Sequence, residues 1–214
     1  MIHTPFIPWP EDLVLVLASR SPRRAELLQV AGIPFVVQPA PDVEAELAAT
    51  LTDLHQHPHQ YAMTLAAAKA QAVAENDPHR LVLGSDTIVV VDGDILEKPV
   101  DAEDAVVLLS RLSGRRHTVI SAIALCGGAA GMPGRTAYEE TQVEFLPLDE
   151  DTIRLYVATG EPMDKAGAYG IQGYGALMVR GVNGCYFNVM GLPLALLGET
   201  LRSILSFTKP EVRT

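Results

Sequence analysis

"LVLVLASRSPRRAELL", Leu13–Leu28, decides the fold. Leu13 to Ala18 is an unbroken apolar run of strand length, the pattern of a strand covered on both faces of its sheet. A helix follows at once. Ser21 suits the N-cap, Pro22 suits the first helical position, and Leu27, Leu28 and Ala31 give an apolar face before Gly32 stops it. The turn between them carries a charge conflict. Arg20, Arg23 and Arg24 crowd the first turn of the helix, where the positive end of the helix dipole and unpaired N–H groups already lie. Each cation there costs about 0.3–1 kcal/mol unless an anion faces it. A solvated charge run seldom sits at the wrong pole of a helix, so the turn reads as an anion site. It also lies at the carboxyl end of a strand, where ligands of open α/β sheets gather.

The rest of the chain sharpens that reading. The 214 residues carry a net charge of −10, which argues against a nucleic-acid polymer as partner and makes three arginines in five residues a local exception. A hydrophobic content of 48% marks a globular protein. No apolar run approaches the roughly 18 residues of a membrane span. "MIHTPFIPWPED" lacks the pattern of a secretory signal and reads as a lead-in over residues 1–12. Cys126 and Cys185 fit no metal spacing and read as reduced thiols in a cytoplasmic protein. One domain over 1–214, with a tail from 206, is expected.

Phe35–Val37 is a second candidate strand, followed by a long polar segment, "QPAPDVEAELAATLTDLHQHPHQ". An Ala-rich helix is expected from about Tyr61 to Glu75 and bears Lys69. Leu81–Ser85 reads as a buried strand ending at Asp86. Asp92-Gly93 between apolar runs is a hairpin signal that sets Val91 opposite Asp94. Counting back brings Lys98 near Asp86, within one register step. "DAEDAVVLLSRLSG" is a helix capped by Asp101 and stopped by Gly114, and "DEDTIRLYVATG" another, with Gly160 past its end. "HTVISAIALC" and "TAYEETQVEFLPL" are strands, "GALMVRGVNGCYFNVMG" two short strands around Asn183-Gly184, and "LPLALLGETLRSIL" a closing helix. The mixture reads as α/β or α+β.

Two tempting motifs carry little. "GGAAGMPGRT" fails as a phosphate loop, because Ala129 stands at the first glycine and Arg135 at the lysine; a flexible hairpin loop fits better. His55, His57 and His59 lack helical spacing for a metal and read as an exposed loop. Asp86 has two even readings: a turn residue, or a carboxylate that holds a metal or activates water. Lys69, Glu44 and Glu46 read by themselves as surface residues. "TGEPMDKAGAYGIQG", Thr159–Gly173, is a glycine-spaced segment carrying Asp164, Lys165, Tyr169 and Gln172, more in keeping with a binding loop than filler. The Gln172 amide offers both a donor and an acceptor to a base edge. A ligand with several negative charges, a metal-friendly part and a planar part fits these pieces, and a nucleoside triphosphate is such a ligand.

Taken in order, "LASRSPRRAELL", "GSDTIVV", "LEKP", "LSGRRHTV", "TGEPMDKAGAYGIQGYG" and "VNGCYFNVMGLPL" resemble the Maf family of nucleoside triphosphate pyrophosphatases, from about Leu15 to Leu197. The resemblance implies a Maf/inosine-triphosphate-pyrophosphatase-like α/β fold, a mixed twisted sheet flanked by helices with two lobes around a cleft. It implies hydrolysis of a nucleoside triphosphate to the monophosphate and pyrophosphate, with a divalent metal ion, Mg²⁺ or Mn²⁺, as cofactor. By position it matches Ser19, Arg23 and Arg24 to phosphate binding and Asp86 to the catalytic carboxylate. Lys69 and Lys98 match the two lysines, and Glu44 the acidic segment that serves the metal with Asp86. It matches Arg24, Thr87 and Gln172 to base choice. "DKAGAYGIQG" looks like the branch acting on dTTP and UTP rather than on 7-methyl-GTP. The acidic segment departs from the pattern, "DVEAE" leaving Glu44 and Glu46 both open, and Arg20 stands where a small residue is common. The resemblance also suggests a homodimer and house-cleaning of nucleotide pools. Links of the family to septum formation supply a rival reading, a nucleotide-binding regulator of division.

Overall fold

An 11-residue strand, β3 (Leu81–Val91), organises the molecule. The computed structural model describes residues 5–77, 79–128 and 134–206. Among these residues, seven strands form one mixed sheet in the order β2-β1-β3-β5-β6-β7, with β4 also paired to β3. β1 (Leu15–Leu17) lies parallel between β2 (Phe35–Val37) and β3, and α1 (Pro22–Val30) connects β1 to β2. All three residues of β1 are buried, as the apolar run predicts. β5 (Arg116–Gly127), β6 (Arg135–Phe145) and β7 (Val179–Asn183) continue the sheet antiparallel.

The two edges of β3 are treated differently. β5 pairs along one edge without interruption from Leu81 to Val90. On the other edge β1 takes Val82 and Leu83, and β4 (Asp94–Leu96) takes Val89 to Val91. Residues 84–88 therefore have no strand partner on that side, and the sheet is notched. The expected end of a strand at Ser85 is corrected here. Gly84-Ser85-Asp86-Thr87 breaks the apolar pattern but not the strand, because β5 holds it at Gly84↔Ala124, Ser85↔Ile123 and Asp86↔Ala122. The hairpin register is as read, with Val91 opposite Asp94. Asp92 and Gly93 both have positive φ, as a two-residue turn of this kind requires. β4 stops at Leu96, so Lys98 comes from the loop beyond it.

Helices bury both faces of the sheet. α3 (Pro58–Ala74) covers the face bearing Val82, Ile88, Ile120, Ala122 and Ala124. On the other face Leu81, Leu83, Ile123 and Leu125 pack with Leu197, Leu201 and Ile204 of α7 (Leu194–Ser206). Ile7 and Trp9 join this cluster, so part of the lead-in packs on the sheet. Val89, Val91 and Phe145 pack with α4 (Ala102–Leu112) and α5 (Glu150–Ala158). Each such buried valine, leucine, isoleucine or phenylalanine side chain contributes about 1.5–3 kcal/mol. The expected cap at Asp101 forms, accepting from Asp104 N–H at 2.8 Å, and Asp149 caps α5 in the same way, accepting from Thr152 N–H at 2.8 Å.

Four local expectations are corrected. The polar segment after β2 contains a helix, α2 (Ala48–Leu54), because Leu47, Leu51 and Leu54 form a stripe at helical spacing against the α3 cluster. α3 starts at Pro58, which takes a first-turn position there. That start absorbs the histidines: His57 is its N-cap residue, His59 pairs with Glu140 at 2.9 Å, and His55 lies edge-on to the Tyr61 ring. Of the two strands expected around Asn183-Gly184 only β7 forms; Tyr186–Met190 is a short helix, α6, whose Asn188 is fully buried. The "GGAAGMPGR" segment joins β5 to β6 as a hairpin connection, and its residues 129–133 lie outside the described residues. Cys126 and Cys185 are free thiols. Among the described residues no helix is long and apolar enough to cross a membrane.

Candidate active site

A cavity of about 650 Å³ opens over the notch in β3. Its walls are the turn after β1 with the start of α1, the Pro41–Glu44 loop, Lys69 of α3, Lys98, and the 161–173 segment. That segment is built from short 3₁₀ turns, Glu161–Asp164 and Ala166–Ala168, as its glycine spacing leads one to expect of an irregular loop.

The arginine turn is organised by its hydroxyls and by the notch. Ser21 occupies the N-cap position but its side chain caps nothing, and α1 has no acid in its first turn. The N–H groups there have no side-chain acceptor from the cap, which suits an anion. Ser19, not Ser21, uses its hydroxyl locally, accepting from Ser21 N–H at 3.2 Å and from Arg24 Nη1 at 3.1 Å. Arg24 plugs the notch. It donates from Nη1 to the edge carbonyl of Ser85 at 2.9 Å, from Nε to Gly191 O at 2.9 Å, and from Nη2 to Thr87 Oγ1 at 3.1 Å. Burial pushes its pKa down, with Asp86 pulling the other way; a guanidinium stays cationic regardless. Thr87 Oγ1 also shares a hydrogen bond with Ser121 Oγ at 2.8 Å. Ser121 is tied in turn to Asn188, whose amide meets Ser121 N, Val119 O and Thr141 Oγ1. Arg24 and Thr87 thus line the cavity while most of their polar capacity holds its floor together. Arg23 points outward from this network to Asp164, at 3.2 Å.

The carboxylate centre lies beside the turn. Asp86, only 8% exposed, meets Lys69 Nζ at 2.6 Å, and Glu44 Oε1 meets the same nitrogen at 3.0 Å. Burial lowers the pKa of Lys69, but the two carboxylates outweigh it and hold the ammonium above its ordinary value. Of the two acids left open, it is Glu44 that makes this contact. Glu44 lines the cavity and reaches Lys69, whereas Glu46 is exposed and outside the lining. Lys98 and Gln172 line the cavity from exposed positions, and neither makes a hydrogen bond or ion pair among the described residues. Every residue expected at the site therefore faces one cavity. Its lining also concentrates lysine: the chain has four lysines, and Lys69, Lys98 and Lys165 are three of them.

A family model described as a Maf-like protein matches residues 14–204. The chain belongs to the Maf family. Among curated Maf relatives, a dTTP/UTP pyrophosphatase of Symbiobacterium thermophilum is 51% identical over 180 residues, covering 84% of this chain and 88% of that one. A dTTP/UTP pyrophosphatase of Moorella thermoacetica is 49% identical over 187 residues, covering 87% and 93%. A solved HAM1 protein from Coxiella burnetii aligns over 92% of this chain and 100% of that chain, with 15% identity and a TM-score of 0.48.

Two features of this Maf chain escape sequence reasoning. Glu161 staples the glycine-spaced loop: its carboxylate accepts from Tyr174 N–H at 3.0 Å, Gly175 N–H at 3.1 Å and the Tyr156 hydroxyl at 2.9 Å. An acid just after a helix-ending glycine gives no such signal by itself. The second is His117, 3% exposed on β5, which shares a hydrogen bond at 2.8 Å between its Nε2 and the hydroxyl of Tyr169 in the cavity wall. Phe145 lies edge-on to both rings, and among the described residues His117 Nδ1 has no partner. Burial pushes the His117 pKa from its ordinary 6.5 down to about 4. Below pH 6.5 the unfolded chain takes up a proton that the folded protein refuses until about pH 4. Stability is therefore expected to fall as pH drops through that window, by about 3 kcal/mol from this group. Urea midpoints at pH 7, 6, 5 and 4 check it. His117→Gln should remove this share of the slope, and an unchanged slope would show that the acid sensitivity arises elsewhere.

Proposed function

We propose that this chain hydrolyses dTTP and UTP to the nucleoside monophosphate and pyrophosphate. The observation that carries the reading is the Lys69 ammonium clamped between Asp86 and Glu44, in the same cavity as an uncapped, arginine-bearing helix start. Support comes from relatives at 49–51% identity over most of the chain that are named dTTP/UTP pyrophosphatases. In this reading Ser19, Arg23 and the N–H groups of the turn bind the phosphates, while Arg24 locks the turn against the notch. Asp86 accepts a proton from the attacking water as the water oxygen bonds to the α-phosphorus. The bond from that phosphorus to the bridging oxygen breaks, and pyrophosphate leaves with the electron pair. Lys69 and Lys98 neutralise the charge that gathers on it. Gln172 reads the pyrimidine edge beside the floor shaped by Arg24 and Thr87.

The residues fit a hard divalent cation. Two carboxylates, Asp86 and Glu44, already converge on one cationic centre at Lys69 Nζ, and one or two carboxylates plus substrate phosphates is a common way to hold Mg²⁺. We assign Mg²⁺ or Mn²⁺ to Asp86 and Glu44; when bound it supplies Lewis-acid withdrawal of charge from the phosphate oxygens.

Pyrophosphate release from dTTP, UTP, CTP, dATP, GTP and 7-methyl-GTP tests the reading. Turnover is expected with dTTP and UTP. Gln172→Ala should lower kcat/KM for these two about tenfold, the worth of one lost hydrogen bond, and narrow their lead over CTP. Preference for 7-methyl-GTP would overturn the pyrimidine assignment. Nucleotide binding without turnover would favour a regulator.

A further inference from the structure

We infer that Lys165 is a third phosphate-binding ammonium of this site, and that Asp164 fills the clamp formed by Lys165 and Arg23 until a phosphate replaces it. The inference rests on the triphosphate reading above and adds to it a residue with no assigned role.

Lysine is scarce in this chain, four against twelve arginines. Several arginines of the outer surface serve ion pairs, such as Arg111 with Asp94 and Arg154 with Glu103. Three lysines are instead gathered around one cavity, and the reaction as derived uses only Lys69 and Lys98. Lys165 is the least exposed end of its ion pair, 14% against 61% for Asp164. Its ammonium is held in place: Nζ donates to Glu161 O at 2.5 Å and to Asp164 Oδ1 at 2.6 Å. Gly170 leaves room for its stem, since a Cβ there would lie 2.8 Å from Lys165 Cε. The loop bearing it is stapled by Glu161.

Asp164 holds two cations from two walls of the cavity. Oδ1 meets Lys165 of the loop, and Oδ2 meets Arg23 of α1 at 3.2 Å. One carboxylate spread between a guanidinium and an ammonium offers what a phosphate group offers, with fewer oxygens and less charge. Its exposure makes the pairing weak and easily exchanged. The pyrophosphoryl end of the substrate is the anion that fits, because Arg23 lies at the phosphate-binding helix start.

Titration calorimetry with inorganic pyrophosphate and with dTMP, at fixed Mg²⁺, tests this on wild type, Lys165→Met and Asp164→Asn. Lys165→Met should weaken pyrophosphate about 10- to 100-fold, the worth of a hydrogen bond to a charged group. Asp164→Asn should tighten it about three- to fivefold, and lower KM for dTTP and UTP in step, because a competing anion is gone. Neither should alter dTMP binding more than about twofold, since dTMP lacks the pyrophosphoryl end; a merely structural role would move both ligands together. Equal losses for dTMP and pyrophosphate, or unchanged pyrophosphate binding in Lys165→Met, would overturn the inference. Weaker pyrophosphate binding in Asp164→Asn would do the same. If wild type hydrolyses dTTP or UTP while these results fail, only this inference falls. If wild type neither hydrolyses a nucleotide nor binds pyrophosphate, the triphosphate reading falls with it.

Discussion

Asp86→Asn should cut turnover of dTTP and UTP by about 10²–10⁴-fold and leave nucleotide binding within a few-fold. The substitution keeps the size of the side chain and an oxygen that can accept from Lys69, now 2.6 Å from Asp86. What it removes is the charge. A neutral amide takes no proton from water and holds a divalent cation poorly. The arginine turn is not disturbed, because Arg24 is anchored to Ser19, Ser85, Thr87 and Gly191 rather than to Asp86. Initial-rate kinetics beside calorimetry with a nucleoside triphosphate separate the two effects. A full kcat would show that Glu44 or another group takes the proton. Loss of binding together with turnover would give Asp86 a part in holding substrate rather than in the chemical step.

The parts of the site that share a local sequence are legible in it. The strand, Pro22 and arginines lie within Leu13–Leu28, and a strand, a turn and α1 form there in that order, although β1 is shorter than the apolar run and Ser21 takes the N-cap position without a side-chain bond. The hairpin register is legible for the same reason, since Asp92-Gly93 fixes it without outside help. What the sequence hides is held by partners far along the chain. The acceptors that take most of the Arg24 donors lie 61, 63 and 167 residues away, out of reach of any local reading. By itself Asp86 reads equally as a turn residue or a functional carboxylate, because Gly84 and three polar residues look like the end of a strand. The strand continues because β5 supplies its hydrogen bonds. Glu44 and Glu46 differ only in which one reaches Lys69. Tyr186–Met190 reads as a strand, since nothing local announces that Asn188 will be satisfied by Ser121, Val119 and Thr141.

Gly84→Ala should destabilise the protein by about 3 kcal/mol or more, the upper end for an overpacked core, and damage catalysis as well. A Cβ at Gly84 would lie 2.1 Å from Ala66 O and 2.7 Å from Ala70 N, both backbone atoms of α3. A flexible side chain could swing aside, but a helix backbone buried against the sheet has to move as a unit. Gly84 and Asp86 are two residues apart on β3, so they face the same side, toward α3. Lys69 lies on that helix between Ala66 and Ala70. The missing side chain at Gly84 is therefore what lets α3 come close enough for Lys69 to reach both Asp86 and Glu44. Urea midpoints give the stability loss. Gly198→Ala is the control: its Cβ meets nothing within 4 Å in α7, so it should gain about 0.5–1 kcal/mol from helix propensity. The coupling makes a sharper prediction than either effect alone. Any folded Gly84→Ala protein has α3 displaced, so its kcat should fall even at temperatures where it is fully native, while Gly198→Ala keeps the wild-type rate. A destabilised but fully active Gly84→Ala would mean that β3 rather than α3 yields, and that the distance from Lys69 to Asp86 does not depend on the close approach at Gly84.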